Sequence, residues 1–226
     1  MPRKPFLPQY KGRHSNFGPE VLTLRPALGP LLAAIAIVWP LVEIHMALAM
    51  GSMLGVENAA SVAVFSSLRQ NQIRHEALAA ASGASLDAED QLIFAAILKV
   101  HESLAKERNF VVHGIWGWSD DLPDMFLWKS LQSEAVSVIR AYHADTSGAM
   151  EKIFDVHQNE AEGLFVYEPA DIEEIAAQLT SLCMLFRDFH VFVRRSRSGS
   201  SKEATAARKR IFNDAFFLRE FEKPNK

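Results

Sequence analysis

Apolar residues recur along much of this chain in steps of three and four, the period of an α-helix with one face turned inward. The clearest stripe is Ile172, Ile175, Leu179, Leu182, Phe186, Phe189 and Val193, a bundle-type seam, with Asp171 and Glu174 in a capping-box relation at its start. A second stripe, Ile93, Ile97, Val100 and Leu104, predicts a helix from about Ala88 to His113, capped by Ser85 or Asp87 and stopped by Gly114. Residues 57–81 predict one continuous helix ended by Ser82-Gly83, with Val62, Phe65 and Leu68 on one face and Arg69, Arg74 and His75 on a solvated polar edge. Residues 134–153 lean helical, and Ala204 to Phe221 forms a last amphipathic segment carrying Arg208, Lys209 and Arg210, expected to dock on its own domain. Period-two alternation is confined to short pieces within 126–137 and to Gly163–Tyr167. The expected fold is therefore all-α: an antiparallel helical bundle of four to six helices with at most a small peripheral β-hairpin. Its expected organisation is an extended basic arm over 1–20, a helical domain over 21–195, and a basic linker with an amphipathic helix over 196–226.

The stretch Leu28 to Val56 departs from this periodicity because it is apolar nearly all round, interrupted only by Glu43 and His45. It is long enough for a membrane span. A carboxylate near its middle would be expensive in lipid, and Pro40 interrupts the helix at the same point, so a buried central helix with no stable membrane insertion is expected. Such a helix needs covering on several sides, which favours a homodimer. Glu43 is available to answer a buried cation, and His45 reads as a core or interface histidine because no zinc-type spacing surrounds it.

Composition adds little beyond bounds. With 49% hydrophobic residues and a net charge of −3 over 226 residues, the chain can bury a sizeable core but has no general polyanion-binding surface. Nucleic acid would have to meet local patches, such as Arg3, Lys4, Lys11 and Arg13 in the arm. The lone Cys183 fits a reducing cytoplasm and excludes zinc-ribbon sites. Asp120, Asp121 and Asp124 lie beside Pro123 and read as turn chemistry rather than a magnesium site, so no metal or cofactor is expected. Walker, Rossmann and nucleophile-elbow motifs are absent from the sequence.

The chemistry gathers at Lys106–Trp118, KERNFVVHGIWGW. The apolar stripe of the 88–113 helix continues onto Arg108, and a guanidinium on such a face must find a partner, with Glu43 a candidate, or open into a polar cleft. Asn109 and His113 are four apart and share a face, while Arg108 lies about 140° round from His113 and must reach back. An imidazole that titrates near neutrality beside a guanidinium fork suits metal-free phosphodiester cleavage. Trp116 and Trp118 either cover the core or stack on a base.

Arg108-Asn109-Phe110-Val111-Val112-His113 resembles the signature of the HEPN superfamily, in which an Arg, usually followed by a polar residue, precedes a His by four to six positions. The resemblance implies an all-helical, commonly dimeric domain whose two motif copies form one metal-independent endoribonuclease site. It makes His113 the general base, Arg108 the stabiliser of the charged phosphorane and Asn109 an orienting group, with 2′,3′-cyclic phosphate and 5′-hydroxyl products. Arg69 to His75 matches the spacing but has Gln70 after the Arg and no helix stop. Ile115 stands where nucleotidyltransferase-controlled HEPN toxins carry a Tyr, which argues against that subtype. With Arg69, Arg74 and Trp116 as substrate contacts, the expectation is a cytoplasmic ribonuclease of stress response, toxin–antitoxin control or phage defence, with an antitoxin or regulatory protein as possible partner. The alternatives are a non-catalytic helical module binding RNA, nucleotide or protein, and a membrane-associated helical protein.

Overall fold

The structure, a computed structural model, describes residues 4–5, 15–146 and 163–223. The basic arm residues Arg3, Lys11 and Arg13, and the part of the expected 134–153 helix beyond residue 146, lie outside them.

The described chain is mainly helical: α1 Val21–Leu24, α2 Leu28–Leu54, α3 Asn58–Ser67, α4 Asn71–Ser85, α5 Ala88–His113, α6 Leu131–Thr146, α7 Pro169–Arg197, α8 Ser201–Ile211 and α9 Ala215–Phe221. Five short strands accompany them: β1 Lys4–Pro5, β2 Asn16–Phe17, β3 Ile115–Trp118, β4 Phe126–Lys129 and β5 Leu164–Tyr167. They form one antiparallel sheet in the order β1-β5-β4-β3-β2. This is more than the single hairpin expected. The hairpin itself joins IWGW to FLWK, with Trp116 opposite Trp128, and residues 131–146 are helical instead of supplying its second strand. Aromatic and β-branched residues suit a pleated surface, and β5 completes it by pairing Leu164–Tyr167 along the whole of β4.

Two compact units divide the chain, residues 1–34 with 107–175 and residues 35–106 with 176–226. The first holds the sheet and a small core of Leu122, Leu127, Leu164 and Val166, with Phe17 and Met125 against it. The second is wholly helical among its described residues. Phe94 on α5 stacks on Phe189 and meets Phe186 edge-on, so α5 and α7 meet through aromatic rings. All seven residues of the α7 stripe, from Ile172 to Val193, are buried as its periodicity predicts.

Several local expectations shift. The 57–81 helix breaks at Leu68–Gln70, where both residues turn extended, and Arg74 Nε donates to the Leu68 carbonyl that the break releases, at 2.6 Å. Arg74 Nη1 also meets the Glu43 carboxylate at 2.8 Å, while Trp39 Nε1 donates to the same oxygen. Arg74 is thus a half-buried structural cation and not part of a solvated edge, and Glu43 is committed to it. The start of α7 lies two residues earlier than expected, with Pro169 in the first turn and the Glu168 amide donating to the Asp171 carboxylate at 2.8 Å. Asp87 caps α5 as expected, accepting from the Asp90 amide at 2.9 Å. The tail helices belong to the second unit: Ala204, Ala207, Ile211 and Phe217 are buried, Arg208 pairs with Glu89, and Ser181 donates to Asp214.

The helix α2 is the larger departure. It runs through Pro40 without a break. Ile35, Trp39, Val42, Met46, Met50 and Met53 are buried along one face, but Ile37 is 67% exposed and Leu41 and Ile44 nearly half exposed on another. Only 28% of its most apolar 18-residue window is buried. By length and composition it is apolar enough to cross a membrane. The expected central burial is therefore achieved on one face alone.

The interior of the second unit also seals an imidazole. His101 lies between Trp39, Phe186 and His75, whose Nε2 approaches its Nδ1 to 2.7 Å, and His75 in turn lies 3.5 Å from Glu102. Burial, helped by the His75 ring, pushes the His101 pKa down to about 3 from 6.5. Between those values the unfolded chain binds a proton that the folded one refuses, so stability falls as pH drops from 6.5 toward 3. One such proton is worth about 1.4 kcal/mol per pH unit. Urea unfolding at pH 6.5, 5.5 and 4.5 should therefore show a steeper loss for the natural chain than for His101→Phe, by about one proton's slope; identical slopes would mean that the ring titrates freely.

Candidate active site

Arg108, Asn109 and His113 occupy the last turns of α5, where the helix meets the sheet of the first unit. The final carbonyls of a helix have no partner within it. Here two of them receive indole N–H groups: Trp128 Nε1 donates to Phe110 O and Trp116 Nε1 to Val111 O, each at 3.1 Å. Phe110 stacks on Trp128 with ring centroids 3.5 Å apart and meets Phe165 edge-on. Gly114 permits this approach, because a Cβ there would run into the Trp128 indole. Gly114 therefore does more than stop the helix. It lets strand β3 leave directly beneath the ring that caps α5.

This docking leaves the polar side of the helix end open. Asn109 and His113 are exposed and share one helical face, and Arg108 is half-buried. Arg108 Nη1 donates to the neighbouring Asn109 Oδ1 at 2.9 Å. That bond turns the Asn109 amide oxygen toward the cation. A guanidinium is a multi-donor cation suited to an anion, and an imidazole is suited to proton transfer.

The other expected site residues behave differently. Trp116 is buried, tilted against Tyr167 and edge-on to Phe126, and its indole nitrogen is spent on the helix carbonyl, so it is a core and capping residue and not a base-stacking platform. Arg74 is consumed by Glu43 and the Leu68 carbonyl. Arg69 is exposed in the turn between α3 and α4, within the second unit. The Arg69–His75 spacing straddles that turn, and His75 contacts His101, so this match does not build a site. Asp120 and Asp121 belong to a tight turn organised by Ser119, whose carbonyl accepts from the Leu122 amide and from Arg25 Nη2. Among the described residues no group of three His, Cys, Asp or Glu side chains is arranged to hold a metal ion.

Sequence reasoning missed Trp128. Its signal was the Gly-Ile-Trp sequence followed ten residues later by Phe-Leu-Trp-Lys, two short β-prone runs on either side of a Pro-Asp turn. No family model matches the chain, and no curated protein or solved structure is significantly similar to it.

Replacing Gly114 by Ala should cost about 1–3 kcal/mol through overpacking against Trp128, whereas Trp128→Phe, which shrinks the stacked ring and leaves the Phe110 carbonyl without its donor, should cost about 2–4 kcal/mol. Denaturant titrations of the two variants measure both. A neutral Gly114→Ala would show that the indole does not lie against this turn.

Proposed function

We propose that this chain is a metal-independent endoribonuclease of HEPN type, working as a homodimer in the cytoplasm. The observation that supports the reading is the exposure of Asn109 and His113 at the end of α5, with Arg108 bonded to the Asn109 amide oxygen beside them. In the reaction, His113 takes the proton of an RNA 2′-hydroxyl, and the alkoxide attacks the adjacent phosphorus. Arg108 offers its donors to the equatorial oxygens as negative charge builds on them, and Asn109 holds that cation in place. The 5′-oxygen departs as it gains a proton, leaving a 2′,3′-cyclic phosphate and a 5′-hydroxyl. His113 of the second copy is the donor of that proton.

The dimer is supported by the exposed apolar residues Ile37, Leu41 and Ile44 on α2, which a second copy would cover. In this reading α2, α5 and α7, of 27, 26 and 29 residues, are the principal members of an antiparallel bundle. Stress response, toxin–antitoxin control and phage defence are the settings such an activity serves, with an antitoxin or regulatory protein as its restraint. The same exposed face of α2 favours a second reading, a helical protein held at a membrane by that helix.

End-labelled RNA incubated with the purified protein in EDTA tests the first reading. His113→Ala should lower cleavage by at least about 10²-fold, and Arg108→Lys should also lower it because an ammonium lacks the planar fork. Both variants should keep the natural circular dichroism. Equal cleavage by His113→Ala, or products with 3′-hydroxyl ends, would sink the mechanism. Sedimentation of untagged protein without detergent separates a soluble dimer from a membrane-held chain.

A further inference from the structure

Where α7 ends and α8 folds back along it, the second unit contains a hollow of about 460 Å³ whose wall includes His190, Arg194, Arg195, Glu203 and Arg210. Arg194 also lines a neighbouring hollow of about 680 Å³, together with Arg197, Gly55 and Ser52. Both volumes lie in the range of small-molecule sites.

The charges around the first hollow are unevenly satisfied. Arg210 grips the buried Asp188 carboxylate through Nε and Nη2 at 3.1 and 2.9 Å, an arrangement that also raises the pKa of its guanidinium and leaves Nη1 uncommitted to that carboxylate. Arg195 is 2.7 Å from Glu203. Arg187 also touches Asp188, at 3.3 Å. Arg194 makes no side-chain hydrogen bond or ion pair among the described residues, although it stands in the walls of both hollows. Three guanidinium groups therefore meet two carboxylates here, Glu203 in the wall and Asp188 against Arg210, so two of the cations have acidic partners and Arg194 is idle. That is an excess of positive charge with a planar, multi-donor geometry, the combination that suits phosphoryl oxygens.

His190 adds a different element. Its Nδ1 lies 3.0 Å from the Leu48 carbonyl and 2.6 Å from Ser52 Oγ. A carbonyl can only accept, so Nδ1 carries the proton and Nε2 of the neutral ring keeps a lone pair. Burial is the main reason the ring stays neutral, with the Arg194 charge acting in the same direction and the Leu48 hydrogen bond opposing both. His45 on α2 is likewise held below its ordinary pKa, by burial and then by His190 and Arg187, with Asp188 opposing. An acceptor among donors suits an anion that still has a proton to give. Inorganic phosphate and pyrophosphate keep one near neutral pH, a phosphate monoester, with a second pKa of about 6, keeps one in only a minor fraction of molecules, and sulfate has none.

We infer that the hollow bounded by His190, Arg194, Arg195 and Arg210 is a binding site for a small phosphorylated anion, independent of the Arg108–His113 site. Arg194 is its closing clamp, Arg195 and Arg210 are its fixed walls, and His190 selects a protonated phosphoryl group.

Calorimetric titration of the full chain with sodium pyrophosphate, AMP and sodium sulfate, at matched ionic strength, tests this. The expected result is saturable binding of pyrophosphate or AMP and clearly weaker binding of sulfate. Tighter binding of AMP identifies an organic phosphate as the occupant, and tighter binding of pyrophosphate an inorganic one. Arg194→Ala removes no internal partner and should fold normally while raising the dissociation constant at least about tenfold. His190→Phe should narrow the preference for phosphoryl over sulfate, and His113→Ala should bind as the natural chain does, whatever its effect on RNA cleavage. The inference fails if neither phosphorylated probe binds, if Arg194→Ala binds unchanged, if sulfate binds equally well, or if a short RNA displaces AMP at concentrations far below those of AMP itself.

Discussion

Two indole N–H groups close the C-terminal end of α5, and the geometry of the proposed catalytic face follows from that closure. A helix that ends inside a protein leaves carbonyl oxygens that must find donors. Trp116 and Trp128 supply them from adjacent strands, and the Phe110 ring packed on Trp128 fixes the rotation of the last turn. With the apolar side of that turn held against the sheet, Asn109 and His113 can only face outward. Arg108, caught between the two sides, resolves its position through its neighbour's amide oxygen.

The second unit solves a different problem, that of keeping polar groups inside a helical interior. It does so by pairing them locally: Glu43 with Arg74 and Trp39, His101 with His75, Asp188 with Arg210, and His190 with the Leu48 carbonyl. Apart from Trp39 with Glu43, which lie on one helix, each pair ties one helix to another, so the contacts carry positional information as well as satisfying buried donors and acceptors. Where this matching runs out, at Arg194, the surface is left with unspent positive charge beside a cavity. Where apolar matching runs out, on the outer face of α2, it is left with Ile37, Leu41 and Ile44 in contact with solvent. These two imbalances lie on the same unit and are of opposite chemical kinds.

Much of the helical framework was legible because it depends on short-range rules. The α7 stripe predicted every one of its seven buried positions, and α5 has the limits that Asp87 and Gly114 announce. Of the candidate site, only the shared face of Asn109 and His113 was legible, because it follows from the helical period. The break at Leu68–Gln70 was not legible, since no Gly or Pro marks it and its released carbonyl is satisfied by Arg74, six residues on. The sheet was underestimated because β2 and β5 are short and far apart in the chain, and short strands gain definition only from the neighbours they pair with.

Periodicity and capping chemistry in the chain alone thus determined that this protein is mainly helical, which faces of its longest amphipathic helices are buried, and where the Arg-Asn-His group would lie along α5. Only the tertiary structure decided which polar residues meet. It gave Glu43 to Arg74, turned Trp116 from a candidate base platform into a helix cap, and set Arg194, Arg195 and Arg210 around one hollow. The physical reason is range. Helical order is settled by neighbours three and four residues away, whereas the partner of a charge or an indole nitrogen is whichever distant group the fold brings within about 3 Å of it.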